Sequence, residues 1–175
     1  MPDNSKNSFT LLDLLKEQSR DLYDAETEFS AFLGKMDRAV DNSALHELME
    51  SISVKARENI ADLEEICSLL DINPNGIKCE AMAGLLREAK DTTQEFESGA
   101  VKDAALIAAA QRIAHYEIAG FGTAKSIARQ LKKSDIAEMF DDMLSRSSYL
   151  DKCLSKIATG SWLSKGINMQ AAEGI

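Results

Sequence analysis

The sequence predicts an all-α protein: a ferritin-like four-helix bundle with a long crossover that contains a short extra helix. Three observations predict it. Apolar residues recur three and four positions apart over four long segments. Turn-forming residues cluster between those segments and not within them. Only 2 Pro and 9 Gly occur in 175 residues, too few turns for a many-stranded β protein.

The first stripe runs Leu12, Leu15, Ser19, Leu22, Glu26, Phe29, Leu33, Met36 and Val40, one amphipathic helix over roughly 8–40. Ser8 or Thr10 can cap it, and Asp41-Asn42-Ser43 breaks it. The second stripe runs from Leu45 through Ile52, Ala56, Asn59 and Leu63 to Leu70, with Asn42 or Ser43 as its cap. Asp71-Ile72-Asn73-Pro74-Asn75-Gly76 ends it with strong turn chemistry. A shorter apolar pattern over 79–96 forms the connecting helix, and Ser98-Gly99 closes it. The third long stripe joins Leu106, Ala110, Ile113, Glu117, Gly120, Ala124, Ile127 and Leu131. Lys132-Lys133 suits the negative end of that helix dipole. Ser134 or Asp135 caps a fourth helix, whose stripe is Ile136, Phe140, Met143, Ser147, Leu150, Leu154 and Ile157, and Thr159-Gly160 stops it. Spacing of this kind packs helices near 20°. A connection of roughly 30 residues is too long for a hairpin; it is the wiring of ferritin-like bundles. The domain is expected to span 1–160. The 161–175 tail has weak periodicity and is expected to be loosely ordered and dispensable for folding, with Trp162 and Leu163 as its large anchors.

A formal charge of −9 argues against a nucleic-acid surface and against an anionic membrane surface. No apolar run approaches the length of a membrane span, and the N-terminus lacks the apolar core of a signal peptide. Three cysteines, Cys67, Cys79 and Cys153, lie far apart, so reduced thiols in the cytoplasm are expected.

Two carboxylates interrupt the apolar stripes: Glu26 midway along the first helix and Glu117 midway along the third. A carboxylate in a core is costly unless paired or ligated. One carboxylate from each of two helices, plus Glu-x-x-His from each of the others, is the di-iron pattern. The second half of that pattern is missing. His46 opens the second helix, and His115 lies on a different face from Glu117. The second helix offers Val54, Arg57, Glu58 and Asn59 near its middle, and the fourth offers Arg146, Ser147 and Ser148. A hard metal ion needs oxygen ligands in number, and two glutamates are too few. The arginines suggest a substitute: Arg57 or Arg146, or both, gripping Glu26 or Glu117 in a charged cluster where metal would sit. Gly120-Phe121-Gly122 lies inside a helical stripe, where small residues permit close helix contact. Glu80 beside Cys79 should raise the thiol pKa and blunt it as a nucleophile. No nucleophile elbow, Walker sequence or HExxH occurs, and the seven Met read as core filler.

Leu22-Tyr23-Asp24-Ala25-Glu26, Lys78-Cys79-Glu80-Ala81-Met82-Ala83-Gly84-Leu85 and Asp103-Ala104-Ala105-Leu106-Ile107-Ala108-Ala109-Ala110-Gln111, the last running on to His115-Tyr116-Glu117-Ile118-Ala119 and Gly122-Thr123, resemble the YciE/YciF family of bacterial stress proteins. The resemblance covers about 9–159. It implies a ferritin-like bundle, usually dimeric, with a di-metal centre. By that resemblance Glu26 and Glu117 fall on acidic positions of the first and third helices. The second-helix Glu and its following Glu or His would fall at Val54 and Arg57. The fourth-helix Glu-Glu pair would fall at Arg146 and Ser147, with Asp151 retained. Any residual metal would therefore rest on Glu26, Glu117 and Asp151.

The expected function is that of a degenerate ferritin-like, stress-associated protein acting through protein–protein contacts, not an enzyme, with its di-metal site largely lost and no cofactor. The alternative is a di-iron carboxylate oxidase, peroxide scavenger or iron-binding protein holding iron or manganese. A third reading is a ligand-binding bundle with a small apolar cavity where the metals would sit. A homodimer and a protein partner are expected, with Phe32, Leu86 and Phe121 as an exposed secondary stripe; nucleic acid and membrane are not.

Overall fold

The computed structural model describes residues 9–162 and 164–173. Ser8 and Leu163, named above, lie outside the described residues. The chain forms α1 (Leu11–Asp37), α2 (Ser43–Leu69), α3 (Glu80–Glu95), α4 (Ala100–Gln130) and α5 (Ser134–Thr159). A two-residue antiparallel hairpin, β1 (Gly160–Ser161) with β2 (Ser164–Lys165), and a short α6 (Ile167–Glu173) follow.

Local chemistry sets the helix ends. Thr10 caps α1 in a reciprocal box: Asp13 N–H donates to Thr10 Oγ1, and Thr10 N–H donates to Asp13. Asn42 Oδ1 accepts from the Ala44 and Leu45 amides at the start of α2. α2 and α4 end alike. Asp71 and Lys132 adopt positive φ, 53° and 58°. The next amides, Ile72 and Lys133, reach back to the carbonyls of Cys67 and Ala128, the double closure of a Schellman turn. That closure explains a correction. Neither Ser134 nor Asp135 caps α5; the residue at the cap is Lys133, with no side-chain bond, because the tight turn carries the chain into helix at once. α1 also stops short of Val40. Asp41 is held at the start of α4, donating its N–H to Asp103 Oδ1 at 2.9 Å and accepting from Gly99 N at 2.6 Å.

The bundle's direction follows from which residues share a core. Leu15 near the start of α1 meets Ile66 near the end of α2, Ile127 near the end of α4 and Ile136 near the start of α5. At the other end, Met36, Leu45, Leu106 and Leu154 meet. α1 and α5 therefore run one way, α2 and α4 the other. Because α2 and α4 are parallel, the chain must return the length of the bundle between them. α3, about 24 Å at 1.5 Å per residue, makes that return against α1 and α4. Asp24 accepts from the Cys79 amide at 2.7 Å and pins the start of α3.

Three apolar residues expected at the surface are internal. Phe32 and Leu86 are buried in the core half that includes Met82 and Ala89 of α3, and Phe121 is buried in the other half against Phe140. The crossover helix covers Phe32 and turns its own Leu86 inward. Gly120 shows the close approach expected of it: a Cβ there would lie 2.6 Å from Leu22 Cδ2. The segment after Gly160 is more anchored than its periodicity suggests. α6 packs on α4 and α5, and Ile167 is 1% exposed. Trp162, by contrast, is 92% exposed and docks on nothing in the described chain.

Candidate functional site

Besides the buried Ser19 of α1 and Asp103 of α4, each long helix carries a buried polar residue in one shared layer: Glu26 on α1, Asn59 on α2, Glu117 on α4 and Ser147 on α5. This layer divides the core. Residues such as Phe29, Ala56, Ile113 and Leu150 belong to one half, and Leu22, Leu63, Phe121 and Met143 to the other. The residues on either side are apolar at helical spacing, so rotation of each helix that buries its stripe must also bury the polar residue within it.

The layer is organised as donors around two acids. Asn59 Nδ2 donates to Glu26 Oε2 at 3.2 Å. Ser147 Oγ donates to Glu117 Oε2 at 2.7 Å. Arg146 Nη1 donates to Asn59 Oδ1 at 2.8 Å and to Asp62 Oδ2 at 2.6 Å. Oε1 of both glutamates is buried and receives no N–H or hydroxyl donor. The two carboxyls lie close enough to hydrogen-bond through a shared proton. Burial pushes the Glu26 pKa well up, and Glu117 beside it pushes further. Burial also raises Glu117, against the Ser147 hydroxyl, which favours the ionised form.

The sequence-derived site residues are only partly brought together. Glu26 and Glu117 meet. Arg146 reaches the layer through the Asn59 amide and does not hydrogen-bond either glutamate directly. Arg57 is exposed on the outer face of α2, one position along from the inward Ala56, where a long cationic chain reaches water without cost. Asp151 lies a turn beyond Ser147, accepting from Gln111 Nε2 at 3.0 Å and facing the exposed His115 at 3.2 Å. His46 pairs with Asp37 at the far end of the bundle. Among the described residues no three His, Cys, Asp or Glu converge as metal ligands. The roles of Asn59 and Asp62 were missed. The signal was present in Asn59, a polar residue at a stripe position of α2.

Cys79 stands apart, its Sγ 2.9 Å from the Tyr116 hydroxyl, which donates to Asp21 Oδ2 at 2.6 Å. Its pKa is raised, chiefly by burial; Glu80 pairs with Lys78 at 2.9 Å instead.

A cavity of about 290 Å³ opens between α2 and α5 onto the polar layer. Its buried wall is Phe29, Ile52, Ala56 and Leu150, and its floor includes Glu26, Glu117, Asn59 and Ser147. Leu48, Ser51, Lys55, Ser145 and Tyr149 form the mouth. Short side chains at Ser51, Ala56 and Ser147 leave this space where larger ones would close the seam.

The fold and its central layer define an all-α bundle with a long crossover and an acidic core pair. Residues 10–172 match the family described as domain of unknown function DUF892, and the chain belongs to that family. It is 33% identical over 156 residues to Protein YciF of Escherichia coli strain K12, covering 87% of this chain and 92% of that protein. The crystal structure of the E. coli stress protein YciF superposes with a TM-score of 0.81 at 31% identity, over 84% of this chain and 93% of that one. YcfI of Rhodopseudomonas palustris gives 0.83 at 32% identity, over 89% and 99%. A Xanthomonas campestris protein at 14% identity and a TM-score of 0.68 shares the fold.

Proposed function

We propose that this chain is a non-enzymatic, stress-associated member of the YciF family that acts by binding, through self-association and protein–protein contacts in the cytoplasm, and not through a di-metal redox centre. The observation that carries this reading is the character of the groups facing Glu26 and Glu117. Asn59 and Ser147 point N–H and O–H donors at the carboxylates, the opposite of what a cation requires of its neighbours. Arg146 adds positive charge one hydrogen bond away. Two carboxylates hemmed by donors do not fit a pair of metal ions, which the ferritin-like pattern holds with further Glu and His ligands. Asp151, engaged with Gln111 and His115, does not supply the difference. The cysteines support a reducing compartment: Cys67, Cys79 and Cys153 are all unpaired thiols.

The competing reading, a di-iron oxidase, peroxide scavenger or iron-binding protein, draws on the two glutamate oxygens that lack donors. Elemental analysis after iron loading separates the two. Trace metal is expected; two irons per chain would overturn the binding reading. Self-association is read by sedimentation at micromolar concentration, where a dimer is expected and a 19.2 kDa species alone would refute it.

A further inference from the structure

Trp162 is the most exposed large apolar side chain among the described residues, and it is held out on a fixed platform. Gly160 and Gly166 pack backbone to backbone at the foot of its hairpin, where neither admits a Cβ. Lys165 Nζ pairs with Glu173 of α6 at 2.7 Å, Gln170 Nε2 donates to the Lys165 carbonyl at 3.0 Å, and Ile167 anchors α6 in the core. An indole presented this way loses little freedom on meeting a partner. The cavity between α2 and α5 is the complementary feature. Its wall of Phe29, Ile52, Ala56 and Leu150 is apolar. The carboxyls at its floor are buried and hydrogen-bond each other, so they ask an occupant for neither a cation nor a donor. The rim adds exposed apolar surface: Tyr149 at the mouth, and Val54 one helical turn from Ser51.

Resting on the reading that the chain self-associates, we propose that Trp162 of one chain seats in the α2–α5 cavity of a second copy. The contact is returned, so that two indoles fill two cavities across a twofold axis. Size fits. The cavity holds about 290 Å³, roughly twice the ~150 Å³ that takes benzene, and an indole is about one and a half times benzene. Polarity fits as well. An indole is apolar but for one N–H donor, which the hydroxyls of Ser51 and Ser145 at the mouth can accept. Reach decides between the chain's own cavity and a partner's. The hairpin leaves the end of α5 past Leu150 of the cavity wall, about 14 Å further along the helix. It is fixed there, so the indole serves a second copy and not its own chain. Counting both surfaces, two insertions bury roughly 600–1,000 Å², short of the ~1,200 Å² of a stable interface. Leu48, Val54 and Tyr149 around the mouth supply the remainder. A tryptophan in a pocket, ringed by lesser contacts, is the arrangement of an interface hot spot.

Trp162 is the chain's single tryptophan, so its fluorescence reports the contact directly. Emission and acrylamide quenching of the full chain are followed against concentration, beside sedimentation. As the dimer forms, emission should move to shorter wavelength and quenching should fall. Trp162→Ala, a change at an exposed side chain, should weaken the dimer about thirtyfold or more. Ala56→Leu, which fills the cavity, should weaken it similarly and return the emission to that of the free indole. Should that variant fail to fold, Ser51→Arg, which blocks the mouth from an exposed position, takes its place. A dimer whose tryptophan stays as quenchable as in the dilute chain leaves the cavity to another occupant, and overturns the proposal with self-association intact. So does a Trp162→Ala dimer of parental affinity, or a shifted emission that survives filling or blocking the cavity. A chain that sediments only at 19.2 kDa at micromolar concentration overturns both the proposal and the self-association reading.

Discussion

Arg146 fixes the orientation of Asn59. Its guanidinium donates to Asn59 Oδ1 at 2.8 Å, so the amide must turn its Nδ2 toward Glu26, 3.2 Å away. The positive charge thus bears on the acidic pair through an amide, and the asparagine is the member on which both sides depend.

Asn59→Ala should therefore cost more than Arg146→Met. The first leaves the buried Glu26 Oε2 without its donor and removes an acceptor from Arg146, for about 2–3 kcal/mol. The second removes a partly exposed cation whose other partners, Asp62 and Glu58, can turn to water, for about 1 kcal/mol. Urea denaturation of both variants gives the order; Arg146→Met costing more would show that the guanidinium acts on the glutamates directly.

Stability should fall as pH rises from 5 to 8. Burial raises both carboxyl pKa values, Glu117 from the ordinary 4.5 to about 7. The groups facing the pair are Asn59 from α2 and Arg146 and Ser147 from α5. Between 4.5 and about 7 the folded chain keeps protons that the unfolded chain has lost. The contribution is full below 4.5 and is lost as pH passes through 7, at up to about 1.4 kcal/mol per pH unit for each proton. Glu117→Gln should flatten the profile and raise Tm at pH 8. A Tm that climbs between pH 5 and 8 in the parent chain would contradict the shared proton.

Two neighbouring glycines of α4 should respond with opposite signs. A Cβ at Gly122 has its nearest neighbour, Leu144, at 4.0 Å, so Gly122→Ala should gain about 0.5–1 kcal/mol of helix propensity. A Cβ at Gly120 strikes Leu22 at 2.6 Å in a packed core, so Gly120→Ala should lose about 1 kcal/mol net. Thermal unfolding of the pair checks both.

The end of the chain should contribute to stability. Ile167 is buried against the core half that contains Leu106 and Leu154, so Ile167→Ala should cost about 2–4 kcal/mol. Truncation after Thr159 should lower Tm by more than a few degrees. An unchanged melt would return the segment to the status of a dispensable tail.

The sequence by itself determined the four stripes, the breaks between them and the polar residue near the middle of each. Helical periodicity is a local property, and three-and-four spacing puts Leu22, Glu26 and Phe29 on one face whatever lies opposite. Turn chemistry at Asn42, at 71–76 and at Gly160 is local in the same way. What lies opposite is not local. Arg57 sits one position from inward-facing Ala56, so about 100° of helix rotation sends it to water, while Arg146, adjacent to inward Ser147, sits at the seam and reaches Asn59. Only the tertiary structure decided that difference, because it depends on how α2 and α5 are rotated against each other. It likewise decided that short side chains on those two helices leave a cavity, that α3 covers Phe32 and buries its own Leu86, and that Ile167 finds a site on the bundle. Each is a complementarity between segments far apart in the chain, and the apolar pattern of one segment carries no record of the shape of another.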